Sequence, residues 1–169
     1  MCMQLDEIDA KILFHLQKNA KIPIKEISWR IHLSQSATLA RIKNLEENQY
    51  IQHYAAVLNK SKLNKKLISF TGLQLRAHAQ DNLISSSRLI SEFPEVINCY
   101  IVNGGFDFLL HIAVADMQEY NSFYLNALLK IKNIETVRTF FVIDELKDDN
   151  SVDLSNLFKM YSGKSLRLD

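Results

Sequence analysis

The stretch VINCYIVNGGFDFLLHIAV, residues 96–114, decides how the second half of this chain folds. Two runs rich in β-branched and aromatic residues flank Asn103-Gly104-Gly105, the pattern of a hairpin. Glycine supplies the positive φ that such turns need, and two of the chain's four glycines stand here side by side. In the downstream run Phe108, Leu110, Ile112 and Val114 oppose Leu109 and Ala113, so both faces are apolar. A strand of that kind is covered on both sides.

Upstream, LISFTGLQL reads as a strand and DNLISSSRLISEF as an amphipathic helix with Leu83, Ile84, Leu89, Ile90 and Phe93 inward. Pro94 stops that helix. Downstream, DMQEYNSFYLNALLKI is a second helix capped by Asp116, with Tyr120, Phe123, Tyr124, Ala127, Leu128 and Ile131 inward. TVRTFFVIDEL is a last strand, with Val137, Phe141 and Ile143 on one face and Phe140 and Val142 on the other. The order βαββαβ is the ferredoxin-like arrangement. Its two helices cover one face of the sheet. An apolar second face predicts a covering partner, most simply a copy related by a two-fold axis.

The first 55 residues follow a helical period. Asp6 caps a helix with Ile8, Ile12, Leu13 and Leu16 inward, and Pro23 opens a second with Ile24, Ile27 and Ile31. Ser34 caps a third, about residues 35–48, with Leu39, Ile42 and Leu45 inward. Only His32-Leu33-Ser34 joins the second and third, which is the tight turn of a helix-turn-helix. YIQHYAAVL alternates afterwards and predicts a short wing strand. The fold class expected is α+β: an N-terminal winged helix-turn-helix followed by a ferredoxin-like domain. The expected division is 1–55, a basic linker at 56–66, 67–147, and a C-terminal extension at 148–169, in which VDLSNLFKMY can form a short helix packing on its own or a neighbouring subunit, a disordered tail being the alternative.

Charge supports a polar division of labour. The formal net charge is +1, so any polyanion site must be local. Residues 56–66 hold four lysines and no acid, whereas 67–147 hold six basic residues against nine acids. That pattern expects a polyanion-facing front and a neutral-to-acidic back. Two cysteines, Cys2 and Cys99, make neither a disulfide framework nor a thiolate metal site, and fit a reducing cytoplasm. No signal peptide opens the sequence, and FLLHIAVA is too short to span a membrane. The five histidines are scattered, and no nucleophile set, phosphate loop or metal motif appears, so no enzyme, cofactor or metal is expected.

These parts, in this order, resemble the Lrp/AsnC (feast/famine) transcription regulators over about residues 5–147. LDEIDAKILFHLQKNA is similar to that family's opening helix, and ISWRIHLSQSATLARIKNLEENQYIQHYAAVLN to its recognition unit. VNGGFDFLL is similar to its Val-x-Gly-x-x-Asp-Tyr-x-Leu signature, and VRTFFVIDELK to its final strand. The resemblance implies sequence-specific binding of double-stranded operator DNA, a small amino-acid effector held between subunits, and a homodimer that assembles to a tetramer or octamer. The sirohaem decarboxylases, enzymes acting on a tetrapyrrole, share the two-domain plan and stand as the alternative.

On the third helix, Gln35, Ser36, Ala37, Ala40 and Asn44 are expected to face the groove, with Arg41 reading guanine. Lys25, Arg30, His32, Lys43 and the linker lysines suit phosphates. Ala40 stands where the family often has arginine, which predicts modest affinity per half-site. For the effector, Gly104 and Gly105 offer N–H groups to a carboxylate, Asp107 an anion for an ammonium, and Arg138 and Thr139 complete the shell. Phe108 and Val137 depart from the family's frequent tyrosine and threonine, which predicts either a different ligand or none.

Overall fold

The computed structural model describes residues 5–76, 80–149 and 151–157; side chains of 80–82 are not considered. The chain divides into two compact units. One holds residues up to Val57 together with the segment from Asp148 onward, and the other spans Leu58–Lys147.

The first unit is built on α1 (Glu7–Lys18), α2 (Ile24–Arg30) and α3 (Gln35–Glu47). Asp6 caps α1 by accepting from Asp9 N–H, and the Asp9 carboxylate returns the favour to Asp6 N–H. Leu5, Ile12, Leu16, Ile27, Ile31, Ile42 and Leu45 form the core. The inward stripe of α3 starts at Thr38, not Leu39. Thr38 is fully buried with its hydroxyl donating to Ser34 C=O, whereas Leu39 is 55% exposed. The predicted wing is not formed: residues 50–58 contain no strand, and Tyr54 instead donates to Glu46 at 2.7 Å. The segment after Asp148 returns to this unit. Gln17 both donates to and accepts from the Val152 backbone at 3.1 Å, and Leu157 packs on the three-helix core. The remainder of the predicted terminal helix lies outside the described residues.

In the second unit β1 (Leu67–Leu75), α4 (Gln80–Ser91), β2 (Val96–Ile101), β3 (Phe108–Val114), α5 (Met117–Asn126) and β4 (Ile134–Phe141) follow in the expected βαββαβ order, with a short 3-10 turn at Leu128–Lys130. The sheet runs β2-β3-β1-β4 with every pairing antiparallel. Leu73, Leu75, Phe108, Leu110, Ile112 and Val114 pack under Ile90, Tyr120, Phe123, Leu128 and Ile131. Ile84 and Leu89 of α4 are 42% and 40% exposed, and Ser86 takes a buried place between Leu83 and Ile90. Strand β4 ends at Phe141, so Ile143 lies beyond it, fully exposed rather than sharing a strand face with Val137 and Phe141.

The opposite sheet face carries Ile68, Phe70, Leu109, His111, Tyr100 and Phe140, with the Phe70 and His111 rings stacked at 4.9 Å. Phe70, Tyr100 and Phe140 are 38%, 52% and 57% exposed.

The stretch before β1 is an ordered turn. Asn59 caps it through Lys62 N–H, Asn64 closes it at φ 57°, and Lys65 N–H donates to Lys60 C=O at 2.8 Å. At its two ends Lys60 and Lys65 pair with Glu145 and Glu119.

Candidate DNA interface and effector site

The turn between α2 and α3 closes because His32 takes φ 57°, letting Leu33 N–H reach Ser28 C=O. Ser34 then caps α3 by accepting from Ala37 N–H. On the outward side of α3, Gln35, Ser36, Ala37, Ala40, Lys43 and Asn44 are all exposed. Small side chains there let a helix sit close to base edges.

Arg41 does not join them. Its Nη1 lies 2.7 Å from both Asp6 Oδ2 and Asp9 Oδ1, and the Asp9 side chain is only 2% exposed. The guanidinium neutralises a buried carboxylate of the α1 capping box, because an unpaired charge there would be costly. Bonding to Asp9 foremost raises the Arg41 pKa. Burial alone would raise Asp6, but the Asp9 N–H and Arg41 outweigh it and hold its carboxyl below the ordinary 3.8. The geometry therefore assigns Arg41 to holding α3 against α1, against the expectation that it reads guanine.

The cations expected at phosphates divide. Lys25 and His32 are exposed, Arg30 pairs with Glu26 at 2.7 Å, and Lys43 stands 3.7 Å from Glu47. Exposed i,i+4 pairs of this kind are weak and exchange readily for a phosphate. Lys60 and Lys65 instead tie the turn to the rest of the second unit, through Glu145 and Glu119. One side chain that sequence reasoning passed over is Trp29, the chain's only tryptophan, 77% exposed on α2.

Within one subunit the residues expected around the effector lie at the hairpin turn, in the core and on β4. Gly104 has φ +136° and nothing within 4 Å of an added Cβ; Gly105 is equally open. The close backbone approach lies elsewhere, at Gly72 of β1, where an added Cβ would meet Phe106 ring carbons at 2.5–2.7 Å. Mid-strand glycine in FTGLQ was the available signal. Asp107 pins the hairpin: its N–H donates to Leu73 C=O at 2.8 Å, and its Oδ2 accepts from Leu75 N–H at 2.7 Å. Phe108 is fully buried beneath the helices, where a ligand at the turn does not reach it. Arg138 and Thr139 are neighbours on β4 and so point to opposite faces. Arg138 pairs across from Gly72 on the helix-free face.

Thr139 faces α5. There its hydroxyl bonds Thr71 Oγ1 at 3.0 Å and the Tyr120 hydroxyl. These groups lie beside an open groove of about 660 Å3. Met117, Gln118, Tyr120, Asn121 and Tyr124 line it from α5, and Val137, Thr139 and Phe141 from β4. Among the described residues no His/Cys/Asp/Glu group could hold a metal ion, and no helix is long and apolar enough to cross a membrane.

A model of the AsnC-type helix-turn-helix domain matches residues 5–46, and a model of the Lrp/AsnC ligand binding domain matches residues 68–152. The leucine-responsive regulatory protein of Escherichia coli K12 is 35% identical over 146 residues, covering 86% of this chain and 89% of its own. The chain belongs to the Lrp/AsnC family. It is a transcriptional regulator with a helix-turn-helix DNA-binding unit and a ligand-binding unit. Among solved structures, a Neisseria meningitidis transcriptional regulator in complex with L-Met superimposes with a TM-score of 0.87 at 33% identity, over 91% of this chain and 99% of that one. An AsnC family regulator from Agrobacterium tumefaciens gives 0.86 at 30%, over 90% and 99%. Some of this chain's side-chain-bearing residues take a backbone that glycine usually serves. Gln49 holds φ 62° and Asn64 φ 57°, both in the left-handed region that favours glycine.

Proposed function

We propose that this protein regulates transcription by binding operator DNA through the outer face of α3, under control of an amino acid bound in its second unit. The observation that carries the DNA part is the row of exposed small and polar side chains on α3: Ser36, Ala37, Ala40 and Asn44. Gln35 at the helix start reads base edges with them, while Lys25, His32, Arg30 and Lys43 meet phosphates. The amino-acid part is supported by the Neisseria relative, solved with L-Met. The protein works in the cytoplasm, without catalysis and without a metal or prosthetic group.

The working form is a dimer, closed over the helix-free sheet face. Phe70, Phe140, Tyr100 and His111 make that face too apolar for a lone soluble subunit. Two operator half-sites engaged by one dimer offset the modest affinity of each. Dimers assemble further, to a tetramer or octamer.

The test is selection from random-sequence DNA, followed by gel shift with the selected site. Ala40→Glu places a negative charge at the centre of the α3 face. It should abolish specific binding while circular dichroism and oligomeric state stay unchanged. Undiminished binding by that variant, or no sequence enrichment by the native protein, refutes the assignment.

A further inference from the structure

The DNA-binding unit is made from two separate stretches of chain. The chain leaves it after Val57 and returns to it at Asp148, with the whole second unit in between. The second unit is therefore an insertion, joined to the first by two covalent crossings. Both crossings start from one place: Val57, Asp148 and Asp149 line, with Gln17 of α1, a single recess of about 370 Å3. The returning segment is gripped twice. The Gln17 side-chain amide donates to Val152 C=O and accepts from Val152 N–H, both at 3.1 Å, as a paired strand would. Further on, Leu157 packs against the three-helix core. On either side of Val152, Asp149 accepts from Ser151 N–H at 2.8 Å and Asp153 from Ser155 N–H at 2.9 Å.

That grip bears on the recognition helix. Gln17 lies in the last turn of α1 and Asp9 in its first. Asp9 and the cap Asp6 hold Arg41 of α3 at 2.7 Å. One unbroken helix runs between these contacts, so a restraint on Gln17 is a restraint on α3. A single crossing leaves a DNA-binding unit free to swivel on its linker. A second crossing, anchored beside the first, closes the chain into a ring and removes much of that freedom. The freedom matters when a dimer engages two half-sites of one operator. Its second contact depends on the effective concentration that the tethers allow.

We propose that the returning segment is a strap that fixes the separation at which a dimer accepts two operator half-sites. This rests on the paired half-site reading above and adds what sets the spacing. The strap reads no base. It holds each α3 to a narrow range of positions, so an operator with the right half-sites at the wrong distance is refused.

The experiment compares the native chain with one carrying about ten inserted glycine and serine residues between Lys147 and Asp148, and with Gln17→Leu. The insertion leaves the residues of the strap in place and slackens only its tether. Each protein is titrated by fluorescence anisotropy on a single half-site, on two half-sites at the selected spacing, and on two with about five base pairs added, which turns one half-site to the opposite side of the duplex. The native protein should lose about a hundredfold in affinity on that addition. The slackened chain should keep its Tm and its single half-site affinity, bind the two-site operator about tenfold more weakly, and lose no more than about threefold on the addition. Gln17→Leu, which frees Val152 and leaves Leu157 docked, should fall between the two. A native spacing penalty in the slackened chain overturns the strap and leaves the operator reading standing. An equal loss on the single half-site also overturns it, because the segment would then be a packing element of the unit and nothing more. A native protein that binds one half-site as tightly as two overturns the paired reading and the strap with it.

Discussion

Placing a methyl group at Gly72 would set a carbon 2.5, 2.6 and 2.7 Å from three ring carbons of Phe106. Non-bonded carbons settle at about 3.5–4.0 Å, so the ring must retreat by roughly 1 Å. It has little freedom to do so. The next residue is tied down by Asp107 N–H to Leu73 C=O, Val102 N–H to Asp107 C=O, and Leu75 N–H to the Asp107 carboxylate. Overpacking of this kind costs about 1–3 kcal/mol. Alanine also narrows the unfolded ensemble, which returns about 0.4–1 kcal/mol. The net expectation for Gly72→Ala is a loss of about 1–2 kcal/mol. For a unit of this size that lowers Tm on the order of 5–10 °C by calorimetry. The decisive comparison is a double-mutant cycle. In a Phe106→Ala background the clash is gone, so Gly72→Ala should be neutral or slightly stabilising. An equal cost in both backgrounds would show that Gly72 is needed for some reason other than the ring above it.

Four further outcomes are expected. Arg41→Ala strands the buried Asp9 carboxylate; allowing for the partial exposure of Arg41, it should cost about 1–3 kcal/mol in denaturant melts followed by Trp29 fluorescence. Native stability with lost DNA binding would instead restore Arg41 as a base reader. Asp6, held below 3.8, contributes stability that is present above that value and is lost as pH falls through its lowered pKa, and Arg41→Ala should flatten this acid limb. Phe140→Asp puts a charge on the edge strand of the exposed sheet face, opposite Phe70, and should turn the dimer into monomers on sizing with light scattering; a persisting dimer would place the interface elsewhere. Glu119→Gln removes the anion that holds Lys65 at 2.6 Å, so trypsin should cut within residues 58–66 several-fold faster. The Lys65 hydrogen bond, ahead of the Ala115 N–H, depresses the Glu119 pKa. The native clamp should therefore persist above the ordinary 4.5 and open only as pH falls through that depressed value, and unchanged digestion in the variant would show it to be idle.

Much of the fold was legible in local pattern. Caps at Asp6, Ser34 and Asp116, the period of Ile24, Ile27 and Ile31, and the Asn103-Gly104-Gly105 turn each depend on a few adjacent residues, whose conformational preferences act over one turn of chain. Periodicity failed where two neighbours competed for one inward place. Thr38 displaced Leu39 because its hydroxyl finds Ser34 C=O, and Ser86 sits buried beside the half-exposed Ile84 and Leu89. The wing failed because alternation in Tyr50–Leu58 specifies a strand without supplying one to pair with.

The candidate site was less legible, for a different reason. The α3 face could be read from one helix, since exposure there follows from its own period. The role of Arg41 could not, because its partners lie 35 and 32 residues away, and burial of Asp9 decides that the charge is held inward. The same holds for Asp107 with Leu75, 32 residues apart, and for Thr71 with Thr139, 68 apart. The order of these residues in the chain determined the two units, their caps and turns, and the chemistry each side chain had to offer. Only the tertiary structure decided which offers were already taken. A hydrogen bond or a close contact depends on what the fold brings across from a distant strand, and no local preference encodes that.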